Sequence, residues 1–268
     1  MKYTLQYASN FFLNLHTRRD FHKMLVPVSE NLVLLGNISS VDTPSNMILY
    51  DSFLEYVSNH WNHVYIVPGP YEYSSKKTIP FYNLYTNLTN VKHQYNNIKI
   101  LNNSTYTVPY TDITLVGSTL WTEHPYYRLP YVYEFSYIHK YDKTGNMRQI
   151  LGSDLKQWFH EDITHIKDSI KSANTLIVLS HHLPIINLTD NTIKTRMEAS
   201  MLEHMFRKKI PIWLGGAGNK TVSGIFGITK DTFCAVNTYT TFYSSQKVNI
   251  GYDSGAYVSV RKKEFELI

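Results

Sequence analysis

Five short loops carry the residue types that could do polar chemistry, and each follows a run that reads as a buried strand. They are Ser9-Asn10-Phe11-Phe12, Gly36-Asn37, Gly69-Pro70-Tyr71-Glu72, Ser180-His181-His182-Leu183-Pro184 and Gly215-Gly216-Ala217-Gly218-Asn219. Ligand sites of open α/β sheets gather at the carboxyl ends of strands, so these loops are where chemistry is expected. His181, His182 and Glu72 supply two imidazoles and a carboxylate, a donor set that could hold one zinc ion if the loops converged. Adjacent histidines on extended backbone point to opposite faces, however. The competing expectation is that His181 hydrogen-bonds Asn10 or Asn37 in a metal-free pocket, since buried polar groups find partners. The glycines from Gly215 to Gly218 could nest an anion on backbone N–H groups, but the Lys-Ser/Thr of a P-loop does not follow. No G-x-S-x-G elbow is present. Cys234 lies in an apolar, strand-like run and reads as an inert buried thiol. His16, His22 and His124 lie outside the strand-end set and read as surface or loop residues.

The elements that must position these loops are legible from hydrophobic periodicity. Apolar, β-branched runs at Leu5–Ser9, Asn31–Gly36, His63–Gly69, Ile113–Gly117, Thr175–Ser180 and Ile210–Gly215 predict strands covered on both faces. Helical spacing predicts helices over Pro44–Asn59, Asp154–Ser172 and Thr195–Lys208. Thr43-Pro44 and Ser153-Asp154 would start the first two, and a buried stripe of Met197, Met201 and Met205 would mark the third. From Val222 to Val260 the turn-punctuated pattern predicts antiparallel strands. The aromatic stretch Tyr126–Asp142 reads as a surface excursion. Strands alternating with helices, then more strands, give an α/β chain with helices outside stacked sheets, in one domain over 1–268.

The loops, in this order and spacing, resemble the calcineurin-like metallophosphoesterases, whose pattern is D-x-H, G-D, G-N-H-D/E, a lone His, and G-H-x-H. Gly117-Ser118-Thr119-Leu120-Trp121, Ser180-His181-His182-Leu183-Pro184 and Ala235-Val236-Asn237 also match segments of that family, so the resemblance spans nearly the whole chain. It implies a four-layer α-β-β-α sandwich of two mixed sheets. It also implies a pair of metal ions that activate a water for attack on phosphorus, and here the sequence departs. Asn10 and Phe12 replace the Asp and His of the first loop, and Asn37 replaces the bridging Asp. Pro70 and Tyr71 replace the third-loop Asn and His, and Ala217 and Asn219 replace the final histidines. Of the family's seven metal ligands, only His181 is kept. Two dications about 3.5–4 Å apart need anionic ligands to offset their repulsion, and both carboxylates are gone. The expectation is therefore a degenerate member with no catalytic residues and no cofactor. The alternatives are one zinc or manganese ion at His181 and Glu72 with residual phosphoesterase activity, or a metal-free binder of a phosphorylated ligand.

Composition bounds the rest. The chain has 268 residues, 43% hydrophobic and 18% charged, enough for a large core. No run of roughly 20 apolar residues predicts a membrane helix, and no signal peptide is recognisable at the start. One cysteine excludes an internal disulfide and makes a reducing, cytoplasmic location the default. The net charge of +5 is spread over Arg18-Arg19, Lys76-Lys77, Arg207-Lys208-Lys209 and Arg261-Lys262-Lys263, without the interleaved aromatics of an RNA-binding surface. Nucleic acid is thus a minor expectation, and a protein partner or self-association the main one. The tyrosines of Tyr126–Tyr141 and Tyr239–Tyr252 are its candidate surfaces. The abundance of Asn, Tyr, Ile and Lys points to an AT-rich coding genome, such as that of a large DNA virus or a parasite.

Overall fold

The apolar runs pair chiefly as parallel ladders, as strands covered on both faces do. A computed structural model describes residues 2–16, 19–123, 133–189, 199–218, 220–227, 230–239, 251–261 and 265–266. In the first sheet β1 (Lys2–Ala8), β2 (Asn31–Leu34), β3 (His63–Ile66) and β4 (Ile98–Ile100) run parallel. On the other side of β1, β13 (Tyr257–Arg261) and β14 (Phe265–Glu266) add antiparallel. The second sheet has the order β11-β12-β10-β9-β6-β5. Its parallel centre is β6 (Ile113–Ser118), β9 (Thr175–Ser180), β10 (Ile212–Gly215) and β12 (Thr232–Val236). Its antiparallel edges are β5 (Ser104–Thr107) and β11 (Val222–Phe226). A separate hairpin joins β7 (His139–Tyr141) to β8 (Met147–Gln149).

Alternation along each strand builds the layers. Val33, Leu35, Ile177, Leu179, Ile212 and Leu214 meet between the sheets. Leu32, Leu34, Val64 and Ile66 face outward onto α2 (Pro44–His60) and α3 (Phe81–Lys92), against Phe53, Leu54, Val57, Leu84 and Leu88. On the far side Val116, Leu176, Val178 and Trp213 pack on Ile163, Ile166 and Ile170 of α5 (Gly152–Ser172). Two short helices, α1 (Phe21–Met24) and α4 (Tyr133–Tyr137), complete the set. The result is two mixed sheets face to face with helices outside, the expected α-β-β-α sandwich. Among the described residues, no helix is long and apolar enough to cross a membrane.

Several expectations need correction. Thr43 does cap α2 through its side chain on Asn46 N, but α5 starts at Gly152 rather than at a Ser153-Asp154 cap. Asp154 sits inside the first turn and accepts from Leu151 N at 2.8 Å, close to Arg148 and Lys140. The described part of Thr195–Lys208 is no α-helix. Its backbone pairs instead with the loop after β9, Ser200 N donating to Leu183 O and Leu202 N to Pro184 O, leaving one 3-10 turn at Glu203–Met205. Met205 is buried there while Met201 is 80% exposed, so the methionine stripe does not form; Met197 lies outside the described residues. β12 runs parallel to β10, so the C-terminal strands are not all antiparallel. The described part of Tyr126–Asp142 is no simple surface excursion either, since Phe135 and Ile138 are buried against Trp158.

Candidate functional site

The five strand-end loops converge at the carboxyl edge of the sandwich, and the backbone there is unusual. Asn10, Phe12, Asn37 and Leu120 all hold left-handed conformations, with φ of 57°, 45°, 56° and 55°. Asn tolerates this region, but for bulky side chains it is costly and persists only where surroundings impose it. Hydrogen bonds impose it here: Asn10 N donates to Gly36 O and Phe12 N to Asn37 O. The loops also approach closely. A Cβ on Gly36 would lie 2.5 Å from Gly69 N and 2.6 Å from His181 Nδ1, and one on Gly216 would lie 1.9 Å from Leu35 O.

The side chains form one closed network. Asn37 Oδ1 accepts from Tyr71 N at 2.9 Å, which leaves its Nδ2 to donate to Asn10 Oδ1 at 3.0 Å and to His181 Nε2 at 3.2 Å. His181 Nδ1 donates to Leu35 O at 2.7 Å, so the Nε2 lone pair faces the Asn37 amide. Full burial, with His182 alongside, pushes His181 down to about 3 and keeps the ring neutral. Asn10 Nδ2 donates to Gly216 O and Thr238 Oγ1 at 3.0 and 2.8 Å. The expected bond between His181 and an asparagine is therefore present, through Asn37.

Glu72 is turned away from that role. Its Oε2 accepts from Asn37 N and Gly69 N at 2.9 and 2.8 Å, and its Oε1 from Ile38 N at 2.6 Å. Burial pushes this carboxyl up to about 7 while the N–H groups of Gly69, Ile38 and Asn37, and its own, pull it down. Glu72 thus staples the second loop to the third. His182 is buried beside His181, ring centroids 5.1 Å apart, but turns to a different partner, Leu120 O. Among the described residues no three His, Cys, Asp or Glu side chains are grouped as metal ligands.

Aromatic rings lie beside the network, on residues whose backbone N–H groups bond Asn37. Phe12, 1% exposed, lies edge-on to Tyr71 with centroids 5.0 Å apart, and Tyr71 lies 6.2 Å from Tyr133. The Tyr71 hydroxyl accepts from Asn14 Nδ2 at 2.8 Å, and burial pushes its pKa up to about 12. Pro70 and Ala217 are buried beside these groups. The N–H groups of Gly216 and Ala217 both donate to His181 O, at 2.8 and 2.6 Å, so this turn does not present the anion cradle considered from the sequence. Asn219 lies outside the described residues. Asn237, missed as a site residue, ties the sheets together here: its Nδ2 donates to Tyr7 O and Asp253 O, and its backbone O accepts from Ser9 N. Cys234 is fully buried, which pushes its thiol well up. His16 is held on Phe11 O of the first loop, whereas His22 packs on Tyr56 and His60; His124 lies outside the described residues. Tyr239 and Tyr252 pack on Phe11, with 240–250 outside the described residues.

No known protein family matches the sequence, and no curated protein does. Solved structures do match. The phosphopantetheinyl hydrolase PptH from Mycobacterium tuberculosis aligns at 12% identity over 90% of both chains, with a TM-score of 0.62. GAP50, the anchor in the inner membrane complex of Plasmodium, aligns at 12% identity over 96% of this chain and 80% of its own, with a TM-score of 0.51. The chain thus shares with these structures its fold, a sandwich of two mixed sheets.

Proposed function

We propose that this chain is a non-catalytic member of the phosphoesterase fold that serves as a scaffold or protein-interaction module. The observation that carries the reading is the closed strand-end network. Where the resemblance expects ligands, Asn37 joins His181 to Asn10, and the buried rings of Phe12 and Tyr71 stand in place of two histidines. The donor set does not fit two divalent ions. Phe12, Pro70 and Ala217 offer no side-chain lone pair, and Asn10 and Asn37 offer neutral amides, which bind hard cations mainly beside carboxylates. The nearby carboxylate, Glu72, is engaged by three backbone N–H groups. The likeness to GAP50, described as an anchor, lends support in that a chain of this fold carries such a role. The test is hydrolysis of an activated phosphate ester with and without added manganese or zinc. The reading expects no metal-dependent rate above buffer; a saturable rate that disappears in His181→Ala would overturn it.

A further inference from the structure

Beside the strand-end loops, the chain crosses from the first sheet to the second through Leu101–Asn103, and α3 and α5 approach over this crossing. A cavity of about 190 Å³ lies there, walled by Tyr73, Phe81, Tyr85, Trp121 and Trp158. The rings form a connected set, with centroids 5.6 Å apart for Tyr73–Trp121, 5.1 Å for Trp121–Trp158 and 4.9 Å for Phe81–Trp158. Two carboxylates join the aromatic lining: Asp162, 2% exposed, and the exposed Glu161.

Asp162 has no ion-pair partner within 4 Å among the described residues. Its Oδ1 accepts from Asn103 Nδ2 at 2.7 Å and its Oδ2 from Trp121 N at 2.8 Å. Burial pushes its carboxyl up to about 6. Because Asn103 gives its Nδ2 to Asp162, the orientation of its amide is set, and its Oδ1 is left buried without a hydrogen-bond partner. Asn103 also lines the cavity and is itself held in a left-handed conformation, φ 44°. A buried acceptor left without a partner calls for an explanation, because most such groups in folded proteins are hydrogen-bonded.

We propose that this cavity binds a guanidinium cation, as carried by an arginine side chain or a small alkylguanidine. Aromatic faces attract cations through the ring quadrupole, and Trp158 already has Lys140 Nζ 5.7 Å from its centroid. The carboxylate of Asp162 supplies the counter-charge in a chain whose net charge is +5. The Asp162 oxygens are hydrogen-bond acceptors, which favours a cation that carries N–H donors over a quaternary ammonium. A planar, weakly hydrated guanidinium also stacks on rings at lower desolvation cost than an ammonium. Asn10, Asn37, Glu72 and His181 do not line the cavity, so a metal found at those residues would leave this assignment standing, and the reverse holds too.

The test follows tryptophan fluorescence, since Trp121 and Trp158 are in the wall, while titrating ethylguanidinium against its uncharged analogue ethylurea and against tetramethylammonium. A saturable change with ethylguanidinium alone is expected, weakened roughly tenfold or more in Asp162→Asn, which keeps shape while removing charge. If that variant lacks a cooperative melt, Tyr85→Leu at the half-buried wall is read instead, with a loss of the same kind. Tighter binding of a short arginine peptide than of ethylguanidinium would assign the cation to a protein partner, and equal binding to a free small molecule. Equal responses to ethylguanidinium and ethylurea, equal binding of tetramethylammonium, or unchanged binding in the folded variants would overturn the proposal.

Discussion

Replacing Glu72 by Ala would remove one acceptor from three N–H groups at once: the buried ones of Ile38 and Gly69 and the part-buried one of Asn37. Each orphaned donor costs about 1–3 kcal/mol, so a loss of about 4 kcal/mol is expected if the loops relax in part. That is a large share of the roughly 5–15 kcal/mol that holds a domain folded. At about 2–4 °C per kcal/mol for a chain of this size, the melting temperature should fall by roughly 8–16 °C. The measurement is a thermal melt of wild type and variant at pH 5 and again at pH 8. Burial holds Glu72 up at about 7 in the folded chain, above its ordinary 4.5. Its contribution is therefore full below 4.5 and is lost as pH rises through 7, by up to about 3 kcal/mol. The variant's deficit should then be larger at pH 5 than at pH 8, and indifferent to chelator. A metal-ligating Glu72 would give the opposite pattern, because ligands bind deprotonated and the deficit would grow with pH and with added metal. A variant that melts within about 2 °C of wild type at pH 5 would refute the staple outright, since that is under 1 kcal/mol.

Two other perturbations test the surrounding geometry. Gly216→Ala would drive a Cβ onto Leu35 O at 1.9 Å and should prevent cooperative folding, whereas Gly145→Ala meets no atom within 4 Å and should cost about 1 kcal/mol for its left-handed backbone; urea melts of both variants check this. Burial alone would raise Asp154, but Arg148, Leu151 N and Lys140 outweigh it and hold the carboxyl at about 2, below its ordinary 3.8. Its stabilisation is therefore present above pH 3.8 and is lost as pH falls through 2. Discounted for the solvent around Arg148 and Lys140, Asp154→Asn should lower stability by about 1–2 kcal/mol at pH 6 and by almost nothing at pH 2, as denaturant melts at the two pH values would show.

The parallel centre of both sheets was legible because strands buried on two faces are apolar along most of their length. Thr175–Ser180 reads as a strand from end to end, and Thr43-Pro44 announces α2 by its capping chemistry. The edges were not legible. β5, Ser104–Thr107, is polar and half-exposed, and α3 buries only Leu84 and Leu88 among asparagines and threonines. Met201 and Met205 are spaced like a helix face, but hydrogen bonds to Leu183 and Pro184 hold that backbone instead. Around the candidate site, the substitutions were readable and their consequences were not. Nothing in Gly69-Pro70-Tyr71-Glu72 tells that the carboxylate folds back on three N–H groups. The aromatic cavity joins residues from Tyr73 to Asp162, so only folding assembles it. One signal was present: Asp162 lies on the apolar stripe of α5, between Trp158 and Ile166, where a carboxylate must be held by something.

The central claim is that the strand-end loops hold themselves together without metal. Metal content of the protein purified without chelator, measured with its melting temperature before and after added manganese or zinc, tests it most directly. The account predicts no stoichiometric metal and no rise in melting temperature, because nothing selective for the folded state binds there. One tightly bound ion per chain, lost in His181→Ala together with a metal-dependent rise in melting temperature, would contradict it.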